Sequence, residues 1–155
     1  MDVSALETLA AKLEIQSIKA LYCEGVDLLS DKEASRRILQ SVFSDDVRAD
    51  YGDGIHEGRE AVVAFLVDEV CASREWLWHS IHTPFISVDG DRGVGRWTID
   101  VLMKAKGSDE VQSAIGRYID EFRRTPQGWR ISHMRWVAEN SWTVITEARI
   151  SAGAA

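Results

Sequence analysis

The chain has 155 residues, and 18 Lys and Arg against 25 Asp and Glu give it a formal net charge of −7. A chain of this length suits one domain burying about 70% of its unfolded surface, which leaves room for a core and an internal cavity. Apolar residues at 45% exclude wholesale disorder, and an acidic sum with no Lys/Arg cluster excludes the electrostatic footprint of a nucleic-acid or anionic-membrane binder.

The first third reads as helix. Ile15, Ile18, Leu21, Tyr22, Val26 and Leu29 recur at spacings of three and four, which puts them on one helix face. Ser30-Asp31-Lys32-Glu33 reads as a capping box with Ser30 as N-cap, opening a second helix that carries Ala34, Ile38, Leu39, Val42 and Phe43. A short strand is expected near Val47 to Tyr51, then the turn Gly52-Asp53-Gly54 and a loop in which His56 reads as a surface residue. Gly58-Arg59-Glu60 leads into a third helix with Ala61, Val62, Phe65, Leu66 and Val70.

From Trp76 the pattern changes to four stretches rich in β-branched and aromatic residues. Asp89-Gly90-Asp91, Lys106-Gly107-Ser108-Asp109 and Thr125-Pro126-Gln127-Gly128 separate them. Connections this short predict an antiparallel meander, and helices followed by strands predict an α+β fold. One domain over residues 1–155 is expected, with its core from about 6 to 142 and a frayed tail over 143–155.

Strand alternation assigns faces. Leu77, His79, Ile81 and Thr83 point one way, and Trp76, Trp78, Ser80 and His82 the other. Trp97, Ile99, Val101 and Met103 form one apolar row. Ala114, Gly116, Tyr118 and Asp120 form another, in which two small residues leave open space beside aromatic walls. Six Trp, three Tyr and four Phe fit a pocket for a flat or ring-bearing ligand.

Several chemistries lack support. There is no GxSxG elbow, P-loop or GxGxxG. His79 and His82 fall on opposite strand faces, and no further ligands accompany them, so no metal site is expected. Cys23 and Cys71 lack CxxC spacing and read as free, buried thiols. No apolar run reaches the roughly 20 residues of a membrane helix, and Met1-Asp2-Val3-Ser4 lacks a basic leader, so a cytoplasmic protein is expected. What remains is Tyr22, Asp27 and His79. A carboxylate accepting from one imidazole nitrogen fixes the tautomer and leaves the other nitrogen free as a base. A solvated Asp27 with a satisfied core histidine is the alternative reading of the same residues.

In order along the chain come Tyr22-(x4)-Asp27, Phe43-Ser44-Asp45-Asp46-Val47, Gly58-Arg59-Glu60-Ala61-Val62, His79-(x9)-Asp89-Gly90-Asp91, Gly116-Arg117-Tyr118 and Gly128-Trp129-Arg130-Ile131-Ser132-His133. This set resembles the SnoaL-like branch of the nuclear-transport-factor-2-like superfamily, which includes polyketide cyclases, scytalone dehydratase, bile-acid 7α-dehydratase and hexachlorocyclohexane dehydrochlorinase. The resemblance implies a cone-shaped α+β barrel, three N-terminal helices packed in a curved, mostly antiparallel sheet, with a deep apolar pocket. It implies that Asp27 and His79 pair to abstract a proton without cofactor or metal, that Tyr22 assists, and that Tyr118 lines the pocket. Relatives often carry an Arg five residues after the Trp of the Gly-Trp motif. That position is Met134 here, and Arg135 reaches the pocket only if a bulge re-aims it.

Two readings follow. In the first, the protein is a cofactor-independent lyase, eliminating water or a small carbonyl fragment, or an isomerase, acting on a small hydrophobic or aromatic substrate. Its catalytic residues are His79, Asp27 and Tyr22, and Tyr118, Trp97, Ile99, Met134 and Arg135 are the substrate-binding candidates. In the second, it is a non-catalytic ligand-binding or oligomerisation module whose partner patch is Trp76, Trp78 and His82. A homo-oligomer, dimer or trimer, is expected in either case.

Overall fold

The computed structural model describes residues 3–144. Of the tail expected from 143, Thr143 and Val144 end the last strand, and the rest lies outside the described residues. In chain order the elements are α1 (Val3–Asp27), α2 (Lys32–Val42), β1 (Phe43–Asp50) and β2 (Ile55–Glu57). A third helical stretch runs from α3 (Arg59–Ala64) through a π-helical turn (Phe65–Val70) into α4 (Cys71–Ser73). Then come β3 (Arg74–Asp89), β4 (Arg92–Ala105), β5 (Val111–Thr125) and β6 (Gly128–Val144). Three helical stretches packed on one sheet make this an α+β fold.

The six strands lie in the order β2-β1-β6-β5-β4-β3. β3 to β6 form the expected antiparallel meander. β1 pairs in parallel with β6, so the sheet is mixed. Its edges, β2 and β3, are not joined to one another, so the expected barrel is an open, unclosed sheet. Among the described residues no helix is long and apolar enough to cross a membrane.

Local details depart from the sequence reading for identifiable reasons. The N-cap of α2 is Asp31, one residue after Ser30, and its carboxylate accepts from the Ala34 N–H at 2.9 Å. Both residues are good caps, and the chain uses the one that places its oxygen at the third helical N–H. Phe43 begins β1 rather than ending α2, because its backbone is extended and pairs with Ile131 of β6. The loop holding His56 forms the short strand β2, and the imidazole stacks on Phe65 with ring centroids 3.9 Å apart.

The core is the concave side of the sheet closed by α1. Ala11, Ile15, Lys19, Tyr22, Cys23, Gly25 and Val26 are the buried face of α1. Gly25 lets α2 approach, since a Cβ there would meet Ile38 and Leu39 at 3.0 Å, and Ser35 Oγ donates to the Gly25 carbonyl at 2.6 Å. This contact fixes the end of α1, where Asp27 sits.

Candidate active site

Asp27 is the last residue of α1, where the carbonyl end of the helix dipole disfavours a carboxylate. Its compensation comes entirely from one residue of β3. Oδ2 accepts from the His79 backbone N–H at 2.8 Å, and Oδ1 lies 2.5 Å from His79 Nδ1. A carboxylate can only accept, so Nδ1 carries the proton. The imidazole is thereby clamped by its own backbone and ring, and Nε2 is the nitrogen that Asp27 leaves unengaged. The two side chains are mostly buried, at 6% exposure for His79 and 19% for Asp27.

His79 lies in the wall of a cavity of about 170 Å³, with Tyr51, Leu77, Val101, Met103, Ala114, Tyr118 and Trp136. An apolar cavity of about 150 Å³ is large enough for benzene, so the space suits a molecule of roughly one ring. Larger clefts lie elsewhere on the molecule, such as one of about 380 Å³ in which Asp45 and Asp46 are paired with Arg59 and Arg123.

Tyr22 lies behind the wall. Its hydroxyl is 3.3 Å from that of Tyr118, and the rings meet edge to face. If Tyr22 donates to the Tyr118 oxygen, the Tyr118 hydroxyl hydrogen is free for the cavity, so Tyr22 acts there through Tyr118. Burial pushes both phenols well above the usual tyrosine range; Tyr118 raises Tyr22 further, while the hydrogen bond from Tyr22 partly offsets the rise at Tyr118. They are proton-bearing donors at neutral pH. Tyr51 is a third phenol, and its buried hydroxyl lies near that of Tyr22 without a well-formed hydrogen bond among the described residues.

The structure brings Asp27, His79, Tyr22 and Tyr118 together. It does not bring the other expected contacts to the cavity. Trp97, Ile99 and Met134 are buried in the packed core, and none lines the wall. Arg135 is exposed, which corrects its assignment to the pocket. The cause is a bulge in β6: Phe122 pairs with Ile131 and Glu121 with His133, so Ser132 is the extra residue. That bulge shifts the inward phase from Trp129 and Ile131 to Met134 and Trp136, and leaves Arg135 outside. His82 also lies outside, 2.9 Å from Asp100 on the outer face of the sheet.

Sequence reasoning missed Tyr51, Trp136 and Lys19. Tyr51 is in phase with the inward residues Val47 and Ala49, and Lys19 shares the helix face of Ile15, Tyr22 and Val26. Both signals were present in the spacing. Lys19 escaped notice because a charge reads as solvated, and Trp136 because the bulge is not visible in the sequence.

The SnoaL-like domain family matches residues 7–135. The chain belongs to that family. Solved structures agree on the fold of this SnoaL-like domain. A hexachlorocyclohexane dehydrochlorinase, LinA-type3, from Novosphingobium barchaimii LL02 is 19% identical with a TM-score of 0.78, covering 88% of this chain and 91% of the other. A protein provisionally assigned as a scytalone dehydratase from Novosphingobium aromaticivorans DSM 12444 is 15% identical with a TM-score of 0.77, covering 90% and 91%. A nuclear transport factor 2-like superfamily protein from Salmonella enterica serovar Typhimurium is 16% identical with a TM-score of 0.75, covering 94% and 98%. At these identities the likeness is one of fold. No curated protein sequence matches the chain significantly.

Proposed function

We propose that this SnoaL-like domain is a cofactor-independent lyase or isomerase that acts on a small, uncharged hydrophobic or aromatic compound. The observation that carries the reading is the Asp27–His79 clamp in the wall of a small, mostly apolar cavity. A histidine whose Nδ1–H is held by a carboxylate presents Nε2 as a base, and a positioned base contributes about 10²–10⁴-fold in rate. In a dehydration, Nε2 takes a proton from carbon and the electron pair becomes the new double bond. The hydroxyl then departs as water with a proton from the imidazolium. In an isomerisation the same imidazolium returns the proton to a different carbon. Tyr118, backed by Tyr22, and Tyr51 would hydrogen-bond the substrate oxygen.

A dehydrochlorinase and a provisional dehydratase among the structural neighbours favour elimination chemistry. Met134 is buried where lyases of the family often carry an arginine, and among the described residues no Lys or Arg lines the cavity. Loss of water or of a small aldehyde therefore fits this site better than loss of halide. The test is incubation with a panel of hydroxylated and halogenated ring compounds in deuterated water, followed by mass spectrometry. Loss of water or aldehyde, or uptake of deuterium, that disappears in His79→Ala supports the reading. A panel turned over equally by wild type and His79→Ala overturns it.

A second reading has one observation in its favour. Trp78 is 61% exposed on the outer face of the sheet, beside half-buried Trp76 and exposed His82. That face would then serve as an interface between copies of the chain. Size-exclusion mass measurement of Trp78→Asp decides it: a fall to the monomer mass supports the interface, and an unchanged mass discards it.

A further inference from the structure

The proposed reaction leaves one buried charged pair without a task. Lys19 of α1 and Asp120 of β5 meet at 2.8 Å, and neither side chain has any solvent exposure. The contact is an ion pair held by attraction between opposite charges. A pair like this is costly to bury, and apolar side chains of similar volume would pin a helix to a sheet as well or better. Its surroundings suggest another reason for it. The Lys19 ammonium lies 3.4 Å from the centroid of the Tyr118 ring, 4.4 Å from Tyr22 and 5.5 Å from Trp97. Lys19 stands one turn before Tyr22 on α1, and Asp120 shares the inward face of β5 with Tyr118. The pair therefore joins the two elements that bring the phenols together.

We infer that Lys19 and Asp120 are a positioning pair for the Tyr22–Tyr118 hydroxyl couple, setting α1 against β5 and laying the positive end of the pair on the Tyr118 ring. The inference rests on the proton-abstraction reading above. When Nε2 of His79 takes a proton from the carbon beside a carbonyl, the C–H electron pair moves into the enolate and negative charge gathers on the carbonyl oxygen. The Tyr118 hydroxyl donates to that oxygen and keeps its own proton. A cation on the Tyr118 ring strengthens that donation as the charge grows. Burial pushes the Asp120 carboxyl up, while the adjacent Lys19 opposes that rise, as expected of a pair whose members depend on each other.

The probe is 4-nitrophenol, whose phenolate mimics the enolate oxygen, set against its neutral isostere 4-nitroanisole. Binding is followed by visible absorbance and calorimetry. Wild type is expected to prefer the phenolate. Lys19→Met combined with Asp120→Leu removes both charges together and is expected to bind 4-nitroanisole unchanged but the phenolate about tenfold more weakly, the scale of a hydrogen bond to a charged group. Tyr118→Phe should show the same selective loss. A wild type with no preference for the phenolate, or a double variant that retains the preference or weakens both ligands equally, overturns the inference. Should the apolar pair not fold, Lys19→Gln with Asp120→Asn supplies the comparison, and failure of both variants to fold assigns the pair to stability alone. His79→Ala separates the two proposals. Loss of phenolate preference in His79→Ala alone overturns this inference and leaves the base reading intact. A wild type that catalyses nothing on the panel, but whose phenolate preference is lost in the double variant, supports the positioning pair and removes the base.

Discussion

Asp27 spends both carboxylate oxygens on His79, one on its backbone and one on its ring. Such an arrangement leaves the imidazole one orientation and one tautomer. On an identified substrate, His79→Ala is expected to lose about 10²–10⁴-fold in kcat. Asp27→Asn should lose a comparable factor with KM little changed, because an amide can present a donor to Nδ1 and reverse the tautomer. Steady-state kinetics of both variants check this, and near-wild-type kcat in both would contradict it. The types and order of these residues were legible in the sequence. Their contact was not, because a helix end and a strand 52 residues apart meet only through tertiary packing. The buried Lys19 is the opposite case: its position on the inward helix face was legible, but its charge argued against burial until Asp120 was seen beside it.

At the scale of elements, helical periodicity and strand alternation predicted α1, the meander, the faces of β4 and β5, and that of β3 as far as Ile81. Thr83, expected on the His79 face, sits in an irregularity of β3 with positive φ and bonds the exposed Thr98 instead. The part that failed depends on pairing between strands. The bulge at Ser132 changes which β6 residues face inward, and it decides between Met134 and Arg135. The same strand explains Gly116 on β5. A Cβ there would lie 2.2 Å from the Val137 carbonyl oxygen and 2.8 Å from the Trp136 ring, so the glycine makes room for Trp136 in the cavity wall. Gly116→Ala is expected to destabilise by about 1–3 kcal/mol, as overpacking does, and urea unfolding measures it. Asp31→Ala removes the α2 cap seen at Ala34 N–H and should cost about 1 kcal/mol in the same assay. A Ser30→Ala loss larger than that of Asp31→Ala would restore Ser30 as the cap.

For the whole molecule, the concave face of an open sheet covered by α1 produces a dry interior in which several ionisable groups keep their protons. Burial pushes the Cys23 thiol up to about 12 and the Cys71 thiol up to about 11. Both folded values lie above the ordinary value of 9.0, so the native state holds protons that the unfolded chain releases. Their contribution to stability is complete below pH 9 and is lost as pH rises through about 11 and 12. Urea midpoints are therefore expected to fall with rising pH across that window, and to fall less steeply when both cysteines are replaced by alanine. Both thiols should also resist a disulfide reagent at neutral pH until denaturant is added. The central claim, a cavity-wall histidine whose Nδ1–H is held by a helix-end carboxylate so that Nε2 is left as the base, has a direct spectroscopic reading. Nitrogen-15 NMR of the imidazole rings, with His79 assigned by His79→Ala, should show neutral His79 carrying its proton on Nδ1, and Asp27→Ala should abolish that bias. A His79 ring protonated on Nε2, or unaffected by loss of Asp27, would contradict the account.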